Sequence, residues 1–298
     1  MPGVRAVAAN SYPQETVTLI VPFGEGGGTD TTGRVVANLL RHEVGAPVRV
    51  VNIASRAGVD GHRAMAQAAP DGYTLGIMTA NIWLSPEGLE PRDFTALARY
   101  NADYAAVHVA AESPFQSADD LVQRLRSAPG TLRAGGATTR GIWHRGFIGL
   151  LQALGLDAGD VPWLPANNAA VGLDALLAGQ LDLAVSSVPE AANHAASGDI
   201  RTLAVLGPTR SRACPDVPTV AEATGLSWDY LADWRGVVAP AGLPASVRDE
   251  LRSALARLHR QEVLARRLRD LGFTYAWEGG PRFQDSIRRF HETVRAQN

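Results

Sequence analysis

The sequence predicts an α/β protein organised as two lobes. Two observations carry this expectation. Strands and helices alternate along the chain, and an opening of apolar segment, glycine-bearing loop and helix occurs twice, first through Gly24–Gly28 and again through Gly135–Gly141.

The elements follow in order. Thr16 to Val21 is β-branched and apolar and stops at Pro22, the pattern of a buried strand. After the glycine loop, Thr29 and Asp30 are N-cap candidates for a helix to about Leu40, with Val35, Val36, Leu39 and Leu40 at helical spacing. Gly45 and Pro47 end it, and Val48 to Val51 is a second strand. Gly61 to Ala69 is a short helix closed by Pro70-Asp71-Gly72, and Tyr73 to Thr79 is the third strand. This order predicts a parallel sheet with right-handed crossovers. Ala105 to Val109 reads as a strand and Ser117 to Ser127 as a capped helix. The second glycine loop leads into a helix through Leu151. Val171 to Ala178 is a helix, Leu181 to Val185 and Arg201 to Val205 are strands, and Trp234 to Val238 is a crossing strand. Helices over 246–258, 262–271 and 281–296 complete the chain.

Composition removes several function classes. With a formal net charge of -2, the chain has no positive field to hold nucleic acid or an anionic membrane. No apolar run approaches the roughly 20 residues of a membrane span. All 28 basic residues are Arg, so neither a Schiff-base lysine nor the lysine of a P-loop is available. Cys214 is the single cysteine, which rules out an intrachain disulfide and a cysteine metal cluster. The seven histidines show no metal-binding spacing, so no metal or other cofactor is expected. Ala6-Val7-Ala8 fits a signal-peptidase site, yet the charged and apolar segments that should precede it are missing. Either the sequence begins near the mature end of an exported chain, or the match is chance.

The two loops carry the functional expectation. Glycines let backbone approach a ligand, and the helix that follows aims unpaired N–H groups and a partial positive charge at it. A dinucleotide is disfavoured, because Thr29 stands where the third glycine of G-x-G-x-x-G belongs and Asn52 where an acidic residue would hold ribose. In the second loop, Thr138 and Thr139 offer hydroxyls and Arg140 a guanidinium to a carboxylate, beside Trp143 and His144. Each feature also has a plain structural reading: a turn, a solvated arginine, a core aromatic. Catalysis has less support, since there is no G-x-S-x-G elbow and nothing aligns Asp182, Glu190 and His194. Ser186 and Ser187 follow a strand, and a pocket-lining hydroxyl is the simpler reading of them.

Tyr12-Pro13, Val21-Pro22-Phe23 with Gly26 to Asp30, and Ala68 to Thr74 resemble the Bug family, periplasmic receptors of tripartite tricarboxylate transporters. Leu176 to Asp182, Arg201 to Val205, Pro215 to Thr219, Gly141 to His144 and Trp234 to Pro240 extend the resemblance over nearly the whole chain. It implies a type II periplasmic-binding-protein fold whose lobes, residues 1–103 with 228–298 and residues 104–227, are joined by crossing hinge strands around a ligand cleft. It further implies a periplasmic, monomeric receptor that hands a small carboxylate, a di- or tricarboxylate above all, to integral-membrane permease subunits without chemistry. Carried over by position, the ligand-binding candidates are Phe23, Gly24, Glu25, Gly26, Gly27, Gly28, Thr29 and Asp30, then Thr79, Ala80 and Asn81. On the other lobe they are Ala137, Thr138, Thr139, Arg140, Trp143, His144 and Ser186, with Asn167 and Asn168 at the cleft mouth. Glu25 and Arg140 depart from the family pattern and are candidates to pair across the cleft. Trp83, Trp143 and Trp234 are candidate flat walls for an aromatic acid, the competing ligand class. A sensory module and a serine hydrolase using His144 are the alternatives in function.

Overall fold

The computed structural model describes residues 12–84, 87–228 and 231–296; the Ala6-Val7-Ala8 match lies outside them. The elements are β1 (Val17–Val21), α1 (Gly28–Val44), β2 (Val48–Asn52), α2 (Val59–Gln67), β3 (Thr74–Thr79), β4 (Phe94–Asp103) and β5 (Ala105–Ala110). Next come α3 (Ala118–Ser127), β6 (Ala134–Gly135), α4 (Ile142–Ala153), β7 (Trp163–Leu164), α5 (Ala169–Leu177), β8 (Leu183–Ser187), α6 (Val188–Ser197), β9 (Ile200–Leu206) and α7 (Val220–Thr224). The last are β10 (Asp233–Pro240), α8 (Ala245–Arg260), α9 (Val263–Asp270), β11 (Tyr275–Gly279) and α10 (Gly280–Ala296).

These strands form two sheets, in the orders β11-β4-β10-β3-β1-β2 and β7-β6-β8-β5-β9. The expected parallel sheet holds only for β2, β1 and β3; β10, β4 and β11 join antiparallel, so the first sheet is mixed. Central strands shielded on both faces need continuous apolar runs. Accordingly β1 keeps four of five residues buried, and β10 buries all eight. Helix α1 lies tight on the sheet, because a Cβ on Gly33 would sit 2.9 Å from Val21 Cγ2. It ends at Gly45, whose φ of 72° a side chain would oppose.

Strands β4 and β11 and helix α6 were not expected from the sequence. In β4, polar Arg99, Asn101 and Asp103 interrupt the apolar run. They are tolerated because each finds a partner: Arg99 pairs with Glu278, and Asn101 and Asp103 with Arg235. Helix α6 did carry a local signal. Ser187 and Glu190 form a capping box with Pro in the first turn, and Gly198 closes the C-terminal end.

The chain passes from the first sheet to the second through Tyr104 alone, between β4 and β5. It returns into β10, whose first residue Asp233 is in register with Asp103. The two crossings therefore lie side by side. The three tryptophans proposed as walls are core residues, each 5% exposed or less. Trp83 packs edge-on against Phe94, and Trp234 against Phe283 and Phe290.

Candidate ligand cleft

The first glycine loop is pinned by its own lobe. Asp30 accepts hydrogen bonds from the Gly26 amide, Arg34 Nε and Asn52 Nδ2, each at 2.9 Å. Burial works to raise its carboxyl, but the bonds from Arg34, Asn52 and Gly26 outweigh that and hold it below the usual range. Asn52 also donates to the Phe23 carbonyl at 2.9 Å. Glu25 meets Arg34 at 3.4 Å, so the pairing proposed with Arg140 is replaced by one within the first lobe.

At the entrance of α1, Gly28 faces two side chains of opposite charge. A Cβ there would lie 3.2 Å from Arg235 Nη2 and 3.5 Å from Glu190 Oε1, a residue of the second lobe. Arg235 is 2% exposed and donates to Thr29 Oγ1 at 3.2 Å, Asn101 Oδ1 at 2.6 Å, Asp103 Oδ2 at 3.2 Å and Asp233 Oδ2 at 3.1 Å. Three carboxylates thus surround one guanidinium. Burial first, then the Glu190 and Asp103 carboxylates, push Asp233 up to about 7 despite Arg235; burial likewise raises Glu190.

At the entrance of α4, no side chain of the second lobe caps the helix. Asn81, on the 3-10 turn after β3, supplies the cap from the other lobe, accepting from the Ile142 amide at 3.0 Å and donating to Asp233 at 3.4 Å. A polar chain, Thr29–Arg235–Asp233–Asn81–Ile142, therefore joins the two entrances.

Beside this chain lies a cleft of about 420 Å³, a size suited to a small ligand. One wall is the turn Thr138–Gly141. The other is made by Ser55, Ala57, Val59, Asp60 and Arg63, continued by Asn81, Leu84 and Glu87. Of the sequence-derived candidates, Asn81, Thr138, Thr139 and Arg140 border it together. Phe23 to Asp30 do not. Thr79, Ala80 and Ser186 are fully buried; Thr79 Oγ1 has no partner among the described residues, while Ser186 Oγ donates to the Ser187 carbonyl at 3.2 Å. Ala137 and Trp143 are buried in the core. Asn167 is exposed, and Asn168 caps α5 through Val171.

Backbone strain gathers here. Three non-glycine residues among those described have left-handed φ, and two of them, Ala57 at 57° and Arg140 at 65°, line the cleft. Such conformations cost about 1–3 kcal/mol each and persist where surroundings enforce them. For Arg140 the enforcing contacts are a turn closed by Gly141 N–H to the Thr138 carbonyl (3.0 Å) and the Arg140 amide donating to His144 Nδ1 (2.9 Å). His144 is thereby held as a neutral acceptor; burial, helped by Arg145 and Arg140, lowers it to about 4. Its ring lies 4.5 Å from that of Trp163. It serves the loop's shape rather than the cleft surface.

The Arg140 guanidinium, by contrast, has no hydrogen bond or ion pair among the described residues. Arg63 is occupied, by Asp60 at 3.2 Å and Glu87 at 3.6 Å. Residue patterns did not single out Ser55, Asp60, Arg63 or Glu87. A signal that could have found the first two is the gathering of ligands beyond the carboxyl ends of parallel strands, since β2 ends at Asn52. Among the described residues no cluster of His, Cys, Asp and Glu is arranged to hold a metal ion, and no helix is long and apolar enough to cross a membrane.

Comparison with known proteins places this architecture. The tripartite tricarboxylate transporter family receptor matches residues 32–295. The chain belongs to that family. Within this receptor family, it is 31% identical over 252 residues to the protein BugT of Bordetella pertussis, covering 80% of this chain and 75% of that one. A Rhodopseudomonas palustris protein solved with adipate is 26% identical, covers 95% of this chain and 97% of its own, and superposes with a TM-score of 0.84. MatC of the same organism, solved with bound malate, is 25% identical over 95% of this chain and all of its own, with a TM-score of 0.78. The receptor is a two-lobed binding protein and not an enzyme.

Proposed function

We propose that this receptor works in the periplasm as a monomer, closing its lobes on a small carboxylate and presenting it to integral-membrane permease subunits. In this reading residues 1–103 with 228–298 form one lobe and 104–227 the other. The paired crossings at Asp103 and Asp233 absorb the rotation, the return segment near Ser227 included. One observation carries the ligand class: a guanidinium without a partner among the described residues, Arg140, beside the Thr138 and Thr139 hydroxyls on a cleft wall. The malate and adipate complexes of related proteins support it. Opening of the lobes exposes the α1 entrance, Gly27 to Thr29, to the same ligand.

The test is calorimetry and thermal melting against a panel of small acids, with small-angle scattering for closure. A binding acid raises the melting temperature by mass action. Arg140→Ala weakens that acid by about 1.5–3 kcal/mol, roughly 10- to 150-fold. A panel without a single binder, and scattering unchanged throughout, refutes the proposal.

A further inference from the structure

The charges lining the cleft are unevenly shared, and from this we infer the ligand's chemical class: a monocarboxylate whose far end donates hydrogen bonds. The inference rests on the carboxylate-capture reading and narrows it. Among the described side chains, four charged ones border the cleft: Arg140 on one wall, and Asp60, Arg63 and Glu87 on the other. Arg63 divides its guanidinium between two carboxylates, Nη1 to Asp60 Oδ1 at 3.2 Å and Nη2 to Glu87 Oε2 at 3.6 Å. Among the described side chains that wall therefore carries one negative charge in excess, and the Arg140 wall one positive charge.

The cleft is thus a dipole. A carboxylate fits at Arg140, where Thr138 and Thr139 add hydroxyl donors. At the opposite wall the unshared oxygens of Asp60 and Glu87 are acceptors only, so they are satisfied by a hydroxyl, amide or ammonium donor. A second carboxylate there would face the like charge of two half-exposed carboxylates. This sets the receptor apart from the relatives solved with malate and adipate. Asp60 and Glu87 are the residues that decide the difference.

The experiment is calorimetry at one neutral pH with probes of matched length. The four-carbon set is butyrate, 4-hydroxybutyrate, 4-aminobutyrate and succinate; the six-carbon set is hexanoate, 6-hydroxyhexanoate, 6-aminohexanoate and adipate. In at least one set the hydroxy or amino acid should bind at least tenfold tighter than the diacid and than the plain acid. Comparing the hydroxy with the amino probe tells whether the donor is neutral or cationic. Glu87→Gln should improve diacid binding at least fivefold, whereas Arg140→Gln should weaken all acids together. Glu87 is half exposed, and an unchanged melting temperature confirms that the variant is folded. Diacids binding as tightly as their hydroxy counterparts, or a diacid affinity indifferent to Glu87→Gln, overturns this inference alone. No acid of either set binding at all overturns it together with the capture reading.

Discussion

Acidification should loosen this receptor through His62, and the size of the effect follows from its surroundings. The side chain is fully buried on α2, with Nδ1 2.7 Å from the Gly58 carbonyl and Nε2 3.3 Å from the Thr79 amide. A carbonyl can only accept and an amide can only donate, so Nδ1 carries the proton and Nε2 is bare. Protonating Nε2 would set two donors against each other in a dry site. Burial accordingly lowers His62 from 6.5 to about 4, the Gly58 bond opposing only in part. The unfolded chain then binds the proton more tightly than the folded one, so stability is complete above pH 6.5 and falls as pH drops towards 4. At 1.36 kcal/mol per pH unit the gap amounts to roughly 3 kcal/mol, about 2 kcal/mol of it gone by pH 5. We predict that urea unfolding of the wild type between pH 7.5 and 4.5 shows this loss, and that His62→Gln, less stable at neutral pH, shows a correspondingly shallower slope. An imidazole titrating near 6.5 by NMR, or equal slopes in both proteins, would refute the reasoning.

Further predictions follow the same physics. His108 is also fully buried and lowered to about 4 by burial, so removing both histidines should flatten the acid slope about twice as much as removing one. Arg235→Met should cost about 3–5 kcal/mol, because Asp103, Asp233 and Glu190 lose their shared guanidinium. Without Arg235, which lowers it, the Asp233 carboxyl is protonated at a higher pH than the about 7 of the wild type, so the deficit should shrink as pH falls from 8 towards 7; a pH-independent deficit speaks against the buried carboxylates. Asn81→Ala removes the cap that one lobe lends the other, so the free protein should melt earlier and show a larger radius of gyration by scattering. Glu25→Gln should leave ligand affinity within about twofold, since that carboxylate meets Arg34 away from the cleft; a larger change would place it at the ligand.

Strand and helix order was largely legible from local pattern, because burial on both faces demands unbroken apolar runs and helix ends demand glycine or a capping side chain. Strand β4 was not, since its buried polar residues look solvated until Arg235, distant in sequence, is placed among them. Of the site, the turn Thr138–Gly141 was legible as a loop with free donors, and the family resemblance located its lobe. Its counterpart was only half visible. Gly24–Asp30 has the composition of a ligand loop, yet its Asp30 carboxylate is spent on Arg34, Asn52 and the Gly26 amide.

By itself, then, the amino-acid sequence determined the α/β class, the two glycine-bearing entrances and the absence of lysine and disulfide chemistry. These depend on local periodicity and on residue types being present or missing. Tertiary structure alone decided which donors remain free. Among the described residues Arg63 is occupied and Arg140 is not, Asn81 caps a helix of the opposite lobe, and three carboxylates meet one guanidinium. Pairing is a matter of distance between side chains far apart along the chain, and only the folded arrangement brings them within reach.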